Sequence, residues 1–509
     1  MKKLTIFVYL LIQIIFLITI FACDTNATST TATITNQEAS PTHQATSSNT
    51  PSTTTLKPSP TSTAVAIHID LKPQDLKGTI IEFWHTWSGE SGDTLEALIE
   101  EFNLSNQWGI IVVPVFKGTL DQLDIQVTSA LEDGKPPDMA VGYLHQILKW
   151  DESEEIINLQ LYINDSYWGY SQDEIADFFP VFWEMGIYND QRYGFPSQAS
   201  GQMLFYNQTW AEEFGFLNAP ETPEQFYGQA CASMLANMND NDSENDGTGG
   251  WLISTDYAAI LAWIYAYGGD ITMNAVSSQN KSRYDFDAPE VEEVFTFLKR
   301  IYDDRCAWIP DNHSHSIDFA ERLSLFSIGS VLDIPYQSQI FDQVGNLDHW
   351  TVLPFPSPSE NPTITVYAPL FALFSTSPEE QLSSWLLIKW LNLKENQSQL
   401  IATTGSFPLQ KSVKPLLQKY EQQYPQWGEA VNLLTYAYSE PADQSWNAVR
   451  WALSDASTQL FKSYFTPSQI PTLLEFLDQT AYELSMEDKD AQLSPSVQST
   501  STPPKKPTP

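Results

Sequence analysis

Cysteine and positive charge are what this chain has least of. It carries 3 cysteines, and 25 lysines and arginines stand against 63 aspartates and glutamates, a formal net charge of -38 over 509 residues. A surface this poor in cations cannot neutralise phosphates, which excludes nucleic acid and anionic lipid headgroups as partners. The same acidic surface keeps an exported chain soluble and monomeric. Histidine is sparse too: 7 residues, mostly scattered, suggest no metal centre and no cofactor. A Gly-x-Ser-x-Gly elbow, a phosphate-binding Walker loop and a His-Glu-x-x-His helix are all missing. Long apolar runs are absent after the first 23 residues.

That first stretch is itself informative. Lys2 and Lys3 precede an apolar run from Leu4 to Phe21, and Ile20-Phe21-Ala22-Cys23 sets a small residue before a cysteine. This reads as a secretion signal, residues 1–23, with Cys23 as the lipid-accepting residue. Two acyl chains suffice for stable anchoring, so a membrane partner through a lipid anchor is expected. An uncleaved membrane anchor is the alternative, and both leave the rest of the chain outside the cytoplasm. Residues 24–75 are dominated by Thr, Ser and Pro and read as a disordered tether, with a reach of about 35–40 Å. Residues 487–509 read as a disordered tail.

Between these ends about 420 aromatic-rich residues suffice for two soluble lobes. Gly78–Trp84, Gly109–Phe116 and Asp138–Tyr143 have strand character, and Asp93–Phe102 and Thr119–Leu131 between them have helical spacing, which together describe a parallel α/β unit. Thr222-Pro223-Glu224-Gln225 and Ser377-Pro378-Glu379-Glu380 are capping boxes with proline at the first helical position, and Asp287-Ala288-Pro289-Glu290 is a variant. They predict helices near 223–238, 288–303 and 378–393. The run Trp385–Leu391 is too apolar for a surface helix. Cys231 and Cys306 remain once Cys23 is assigned to lipid; they are a disulfide, closing about 75 residues, or two buried thiols.

Several stretches, in order, resemble the extracellular solute-binding proteins of ABC importers, the family of maltose-, multi-sugar- and glycerol-phosphate-binding proteins. They are Ile80–Gly89, Pro136-Pro137-Asp138-Met139-Ala140, Tyr193-Gly194-Phe195-Pro196, Met203–Asn207, Tyr267-Gly268-Gly269, Phe326–Tyr336, Leu353-Pro354-Phe355-Pro356 and Thr404–Pro408. Tyr367-Ala368-Pro369 and Val331-Leu332-Asp333 depart from the family pattern near the expected cleft. The resemblance implies an α/β, two-lobed periplasmic-binding-protein-like fold with a hinge and an interlobe cleft. Lobe I is expected over 76–195 with 320–352, and lobe II over 199–315 with 370–485. It implies a monomeric receptor that hands a carbohydrate or similar polar solute to an ABC permease.

Sugar recognition wants aromatic rings against C–H faces and short polar groups at the rim. The expected ligand residues are Trp84, His85, Thr86, Trp87 and Ser88 after the first strand, then Tyr143, Gln198, Trp263, Tyr267, Tyr336 and Tyr367, with Tyr336 favoured for stacking. Two other motifs carry less. Asp242, Glu244 and Asp246 alternate as in a calcium loop, but Ile253 stands where a bidentate glutamate belongs. His313-x-His315 with Asp311 and Asp318 lacks a further zinc ligand. The alternatives to a transport receptor are an extracytoplasmic glycosidase-like enzyme and a ligand-sensing surface receptor.

Overall fold

The computed structural model describes residues 69–272, 284–310 and 314–493. The signal segment, Cys23, most of the tether, Asp311, His313 and residues 494–509 lie outside them. Two expected boundaries are corrected at once. Residues 69–75 belong to the folded body: the Ile69 amide donates to Asp165 at 2.8 Å, and Leu76, ending the turn Pro73–Leu76, is fully buried. The expected tail starts later than 487, because the last helix runs Ile470–Leu493.

The first parallel unit forms as its pattern dictates: β1 Ile80–His85, α1 Gly89–Ser105, β2 Ile111–Phe116, α2 Leu120–Glu132, β3 Met139–Gly142 and α3 Leu144–Trp150. The chain then reaches β4 Phe195–Pro196 and crosses to β5 Ser200–Asn207. Next come α4 Pro223–Asn239, β6 Trp251–Leu252, α5 Tyr257–Ala266, α6 Pro289–Asp303, β7 Ala307–Trp308, β8 Phe326–Ser330, α7 Ile334–Val344, β9 Trp350–Leu353 and β10 Ile364–Tyr367. A second crossing leads to β11 Leu370–Leu373, α8 Pro378–Leu391, α9 Lys394–Thr404 and α10 Pro425–Asn432. The chain then returns through β12 Ala437–Ser439 to α11 Trp446–Leu460 and α12, Ile470–Leu493.

Two sheets result. One has the order β2-β1-β3-β11-β4; the other runs β12-β10-β5-β8-β6-β7, with β9 also paired to β5. Strand β5 is buried on both faces, sending Met203 and Phe205 into one core and Leu204 and Tyr206 into the other. The capped helices start where their boxes sit. Thr222 Oγ1 accepts from the Gln225 amide at 3.3 Å and Ser377 Oγ from the Glu380 amide at 3.3 Å. Helix α8 buries Leu382, Trp385, Leu387 and Ile388, and the Trp385 indole donates to the Trp168 carbonyl at 2.9 Å.

The returning segments are exchanged relative to expectation. Strand β8 runs antiparallel to β5, with Gly329 opposite Met203, and β9 pairs with β5 as well, so 326–353 belongs to lobe II. Strand β11 pairs with β3 and β4, which puts 370–373 and the helices α8 and α9 with lobe I, while β12, α11 and α12 stay with lobe II as expected. The reason is that strand pairing is non-local, and nothing within either segment names its partner. Cys231 on α4 and Cys306 beside β7 form a disulfide inside lobe II, with Cα atoms 4.5 Å apart. At the crossings, the Ser197 amide and hydroxyl both donate to the Pro369 carbonyl, at 3.0 and 2.7 Å, and Ala199 bridges to Phe407.

Candidate functional site in the interlobe cleft

Where α3 of lobe I packs against α11 of lobe II, polar and aromatic side chains from both lobes converge. From lobe I, Tyr143 ends β3 and caps α3, and its ring stacks on His145 with centroids 5.6 Å apart. From lobe II, the Asp256 carboxylate caps α5 by accepting from the Ala258 amide at 2.9 Å, which fixes the adjacent Tyr257. Thr365 donates to the Ala258 carbonyl at 2.9 Å and so ties α5 to β10. The parallel register of β12 on β10 sets Val366 opposite Ser439, so Tyr367 and Glu440 follow as the next pair along.

Helix α11 completes the cluster. The Trp446 indole donates to Glu440 Oε2 at 2.9 Å. One turn later Arg450 lies over the rings of Tyr257, at 5.2 Å, and Trp451, at 5.4 Å, donating to the Tyr257 hydroxyl at 3.4 Å and to Asn447 at 3.1 Å. Tyr265 donates to the Ser439 carbonyl at 3.3 Å and stacks on Tyr438 at 5.3 Å. Gln444 reaches across the lobes to donate to Glu152 at 2.7 Å.

Low dielectric sets the ionisation of this cluster. Burial pushes the Glu440 carboxyl up to about 7, with the Trp446 hydrogen bond and Arg450 opposing and Asp256 reinforcing. Burial lifts Tyr143 up to about 12, with the Glu440 charge adding to it, and raises Tyr257, Tyr265 and Tyr367 in the same sense. These hydroxyls therefore remain donors. His145 is held neutral, down to about 3, by burial and then by the Arg450 charge. Two polar groups are left wanting: Arg450 is 8% exposed with Nε unpartnered, and His145 is 7% exposed with Nε2 unpartnered. Rings, a carboxylate, a guanidinium donor and neutral hydroxyls together can hold a polyhydroxylated molecule by its faces and its edge.

Of the residues expected from sequence, Tyr143 and Tyr367 join this cluster. Gln198 is half-buried on the first crossing. The end of β1 and the loop after it do not offer their rings: Trp84 and Trp87 are each 8% exposed, the former donating to Glu82 beneath the Lys117 ammonium, the latter packed on Phe83 and Phe371. His85 is buried among Phe83, Trp87 and Phe116 and held neutral, down to about 4, by that burial. Thr86 is half-buried and Ser88 exposed. Trp263 is wholly core, enclosed by Phe226, Trp251, Phe297 and Phe355. Tyr267 packs on Phe297, and Tyr336 stands 50% exposed on the first turn of α7.

The calcium-like loop binds itself. Asp240 accepts from the Asp242 amide and Asn245, and Asp242 accepts from the Glu244 amide, so its carboxylates cap local turns. Among the described residues, Asp242, Glu244 and Asp246 included, no three acidic, histidine or cysteine side chains gather as a metal site. No described helix is long and apolar enough to cross a membrane. Glu440, Arg450, Tyr257 and His145 escaped sequence reading, although Tyr436-Ala437-Tyr438-Ser439-Glu440 and Trp446–Trp451 are dense in rings and charge.

Comparison with known proteins agrees with this architecture. The sugar-binding protein MalE of Xanthomonas citri superposes with a TM-score of 0.68 at 16% identity, covering 82% of this chain and 100% of its own. The cyclic alpha-maltosyl-1,6-maltose binding protein of Arthrobacter globiformis gives 0.67 at 15%, over 80% and 99%. UgpB of Mycobacterium tuberculosis, solved with glycerophosphocholine, gives 0.60 at 15%, over 82% and 100%. Among curated sequences, the sn-glycerol-3-phosphate-binding periplasmic protein UgpB of Salmonella typhimurium is 27% identical over 195 residues, 38% of this chain and 42% of the relative. The chain thus spans about two fifths of the length of the curated relatives it matches. Residues 97–430 match a family as a whole, and by that match this chain belongs to the bacterial extracellular solute-binding proteins.

Proposed function

We propose that this chain is the extracytoplasmic receptor of an ABC importer, capturing a carbohydrate or similar polar solute between its lobes and delivering it to a permease. Cys23, acylated, holds it at the membrane, and the Ser/Thr/Pro segment lets it range over the permease. Binding and lobe closure are its only chemistry. The observation that carries this reading is the meeting of Tyr143 and His145 from one lobe with Tyr257, Tyr367, Glu440 and Arg450 from the other, two of these six holding unpartnered polar atoms. A hydroxyl is the group that satisfies both sides, since it donates to Glu440 while accepting from Arg450.

The test is native mass spectrometry of protein purified without refolding, followed by thermal shift on a saccharide panel. A retained saccharide, with stabilisation and no released reducing sugar, is the expected result. Turnover of the panel overturns the reading in favour of an enzyme.

A further inference from the structure

We propose that the solute carries a positively charged nitrogen, taken by Glu440 between tyrosine rings, next to an oxygen that accepts from Arg450. This rests on the reading of the interlobe cleft as the solute site.

The charge around the cluster is lopsided. Glu440 and Asp256 stand on the lobe II side, and Asp121 and Glu152 stand near Tyr143 and Gln444 on the lobe I side. Against them Arg450 is the one cation that acts on Glu440 among the described residues, and His145 is neutral. Arg450 does not neutralise the carboxylate. No described Lys or Arg nitrogen lies within 4.0 Å of Glu440, whose Oε2 is met by the neutral Trp446 indole. A half-buried carboxylate met by a neutral indole, with no cation at ion-pair distance, gains charge compensation from a ligand ammonium.

The walls suit a cation as well. Tyr367 lies beside Glu440 across the β10–β12 register, Tyr265 is hydrogen-bonded to the residue before it, and Tyr143 faces it from the other lobe within range of its charge. Aromatic faces attract a positive nitrogen electrostatically, most strongly where water is excluded. Arg450 sets the second requirement. Its terminal nitrogens already donate to Tyr257 and Asn447, while Nε is buried and unpartnered, so the ligand brings an oxygen acceptor. A phosphate monoester fails both conditions: it brings two negative charges beside Glu440 and finds one partly engaged arginine in place of an arginine cluster. Two classes of molecule supply the required pair of groups, an amino-substituted saccharide and a choline-bearing glycerophosphodiester.

Isothermal titration of the full chain in detergent separates them. The panel is a glucosamine disaccharide, its N-acetylated counterpart, maltose, glycerophosphocholine and sn-glycerol 3-phosphate. The expected result is binding of a cationic member at least tenfold tighter than the N-acetylated and neutral sugars, with no binding of glycerol 3-phosphate. Glucosamine-disaccharide binding assigns an amino saccharide, and glycerophosphocholine binding assigns the quaternary source. Glu440→Gln is expected to abolish the preference at unchanged melting temperature of the free protein at pH 5, with Glu440→Asp recovering part of it. Neutral or N-acetylated sugar bound as tightly as the amine, or a preference that survives Glu440→Gln, overturns the charge assignment and leaves the cleft reading intact. Binding of glycerol 3-phosphate alone also overturns it. Failure of all five compounds overturns it together with the cleft reading.

Discussion

Two aromatic regions of this molecule, the loop after β1 and the stretch from Tyr438 to Trp451, have similar composition and opposite fates. Trp84, His85 and Trp87 sink against Phe83, Phe116 and Phe371, and neighbouring residues of their own lobe cover them. Tyr438 and Trp451 are 52% and 56% exposed, and beside them Arg450 retains an unpartnered nitrogen. The difference teaches that ring density does not mark a binding site in a chain with 16 tryptophans, 22 tyrosines and 27 phenylalanines. The second stretch differs from the first in keeping rings exposed beside an unmet polar group. His85 also has both nitrogens unpartnered, but it is buried against the rings of Phe83, Trp87 and Phe116.

The comparison breaks first at a buried ring. Trp263→Ala is expected to destabilise the fold by about 3–5 kcal/mol in urea titration, while the folded fraction keeps its ligand affinity. Loss of affinity in the folded fraction would return Trp263 to the site. Next in size, Arg450→Ala should weaken ligand binding about 10–100-fold, about 1.4–2.7 kcal/mol, with a stability change near 1 kcal/mol, read by calorimetry and melting. A mutant that only melts earlier would make Arg450 structural.

A smaller effect tests the electrostatics. Glu440 holds its proton more tightly in the fold, up to about 7, than at the ordinary value of 4.5, so stability falls as pH rises from 4.5 through 7. Glu440→Gln removes that fall and leaves the free mutant about 1–2 kcal/mol more stable than wild type at pH 8, relative to their difference at pH 4.5, by denaturation at both values. Smallest of all, Ser88→Ala should shift stability by less than about 0.5 kcal/mol and leave binding untouched, since Ser88 is exposed and makes no capping bond. A binding defect there would reinstate the loop.

Local chemistry was legible and distant pairing was not. The Thr222 and Ser377 boxes located α4 and α8 to within a few residues because a cap is decided by four neighbouring residues. The assignment of 320–352 to lobe I and of β11, α8 and α9 to lobe II followed from the opposite case: β8 meets β5 across more than about a hundred residues, and each is merely a short apolar run by itself. In the site, Tyr143 and Tyr367 were reachable because they end strands at the cleft. Arg450 and Glu440 lie after the last expected family landmark, where no motif or spacing singles out one charged residue from another. Trp263 was misjudged because a tryptophan near Gly268-Gly269 reads the same from sequence in a core as in a cleft.

The knot at Ser197, Pro369 and Phe407 sets how this molecule can move. Three passages of the chain are fastened at one level, two of them through a single carbonyl that accepts twice. A joint tied in this way resists twisting and sliding, and yields by bending. Closure about this joint would bring Tyr143 back to the same strip of α5 and β10 each time. Alignment of the two facing surfaces would then be built into the spine of the molecule.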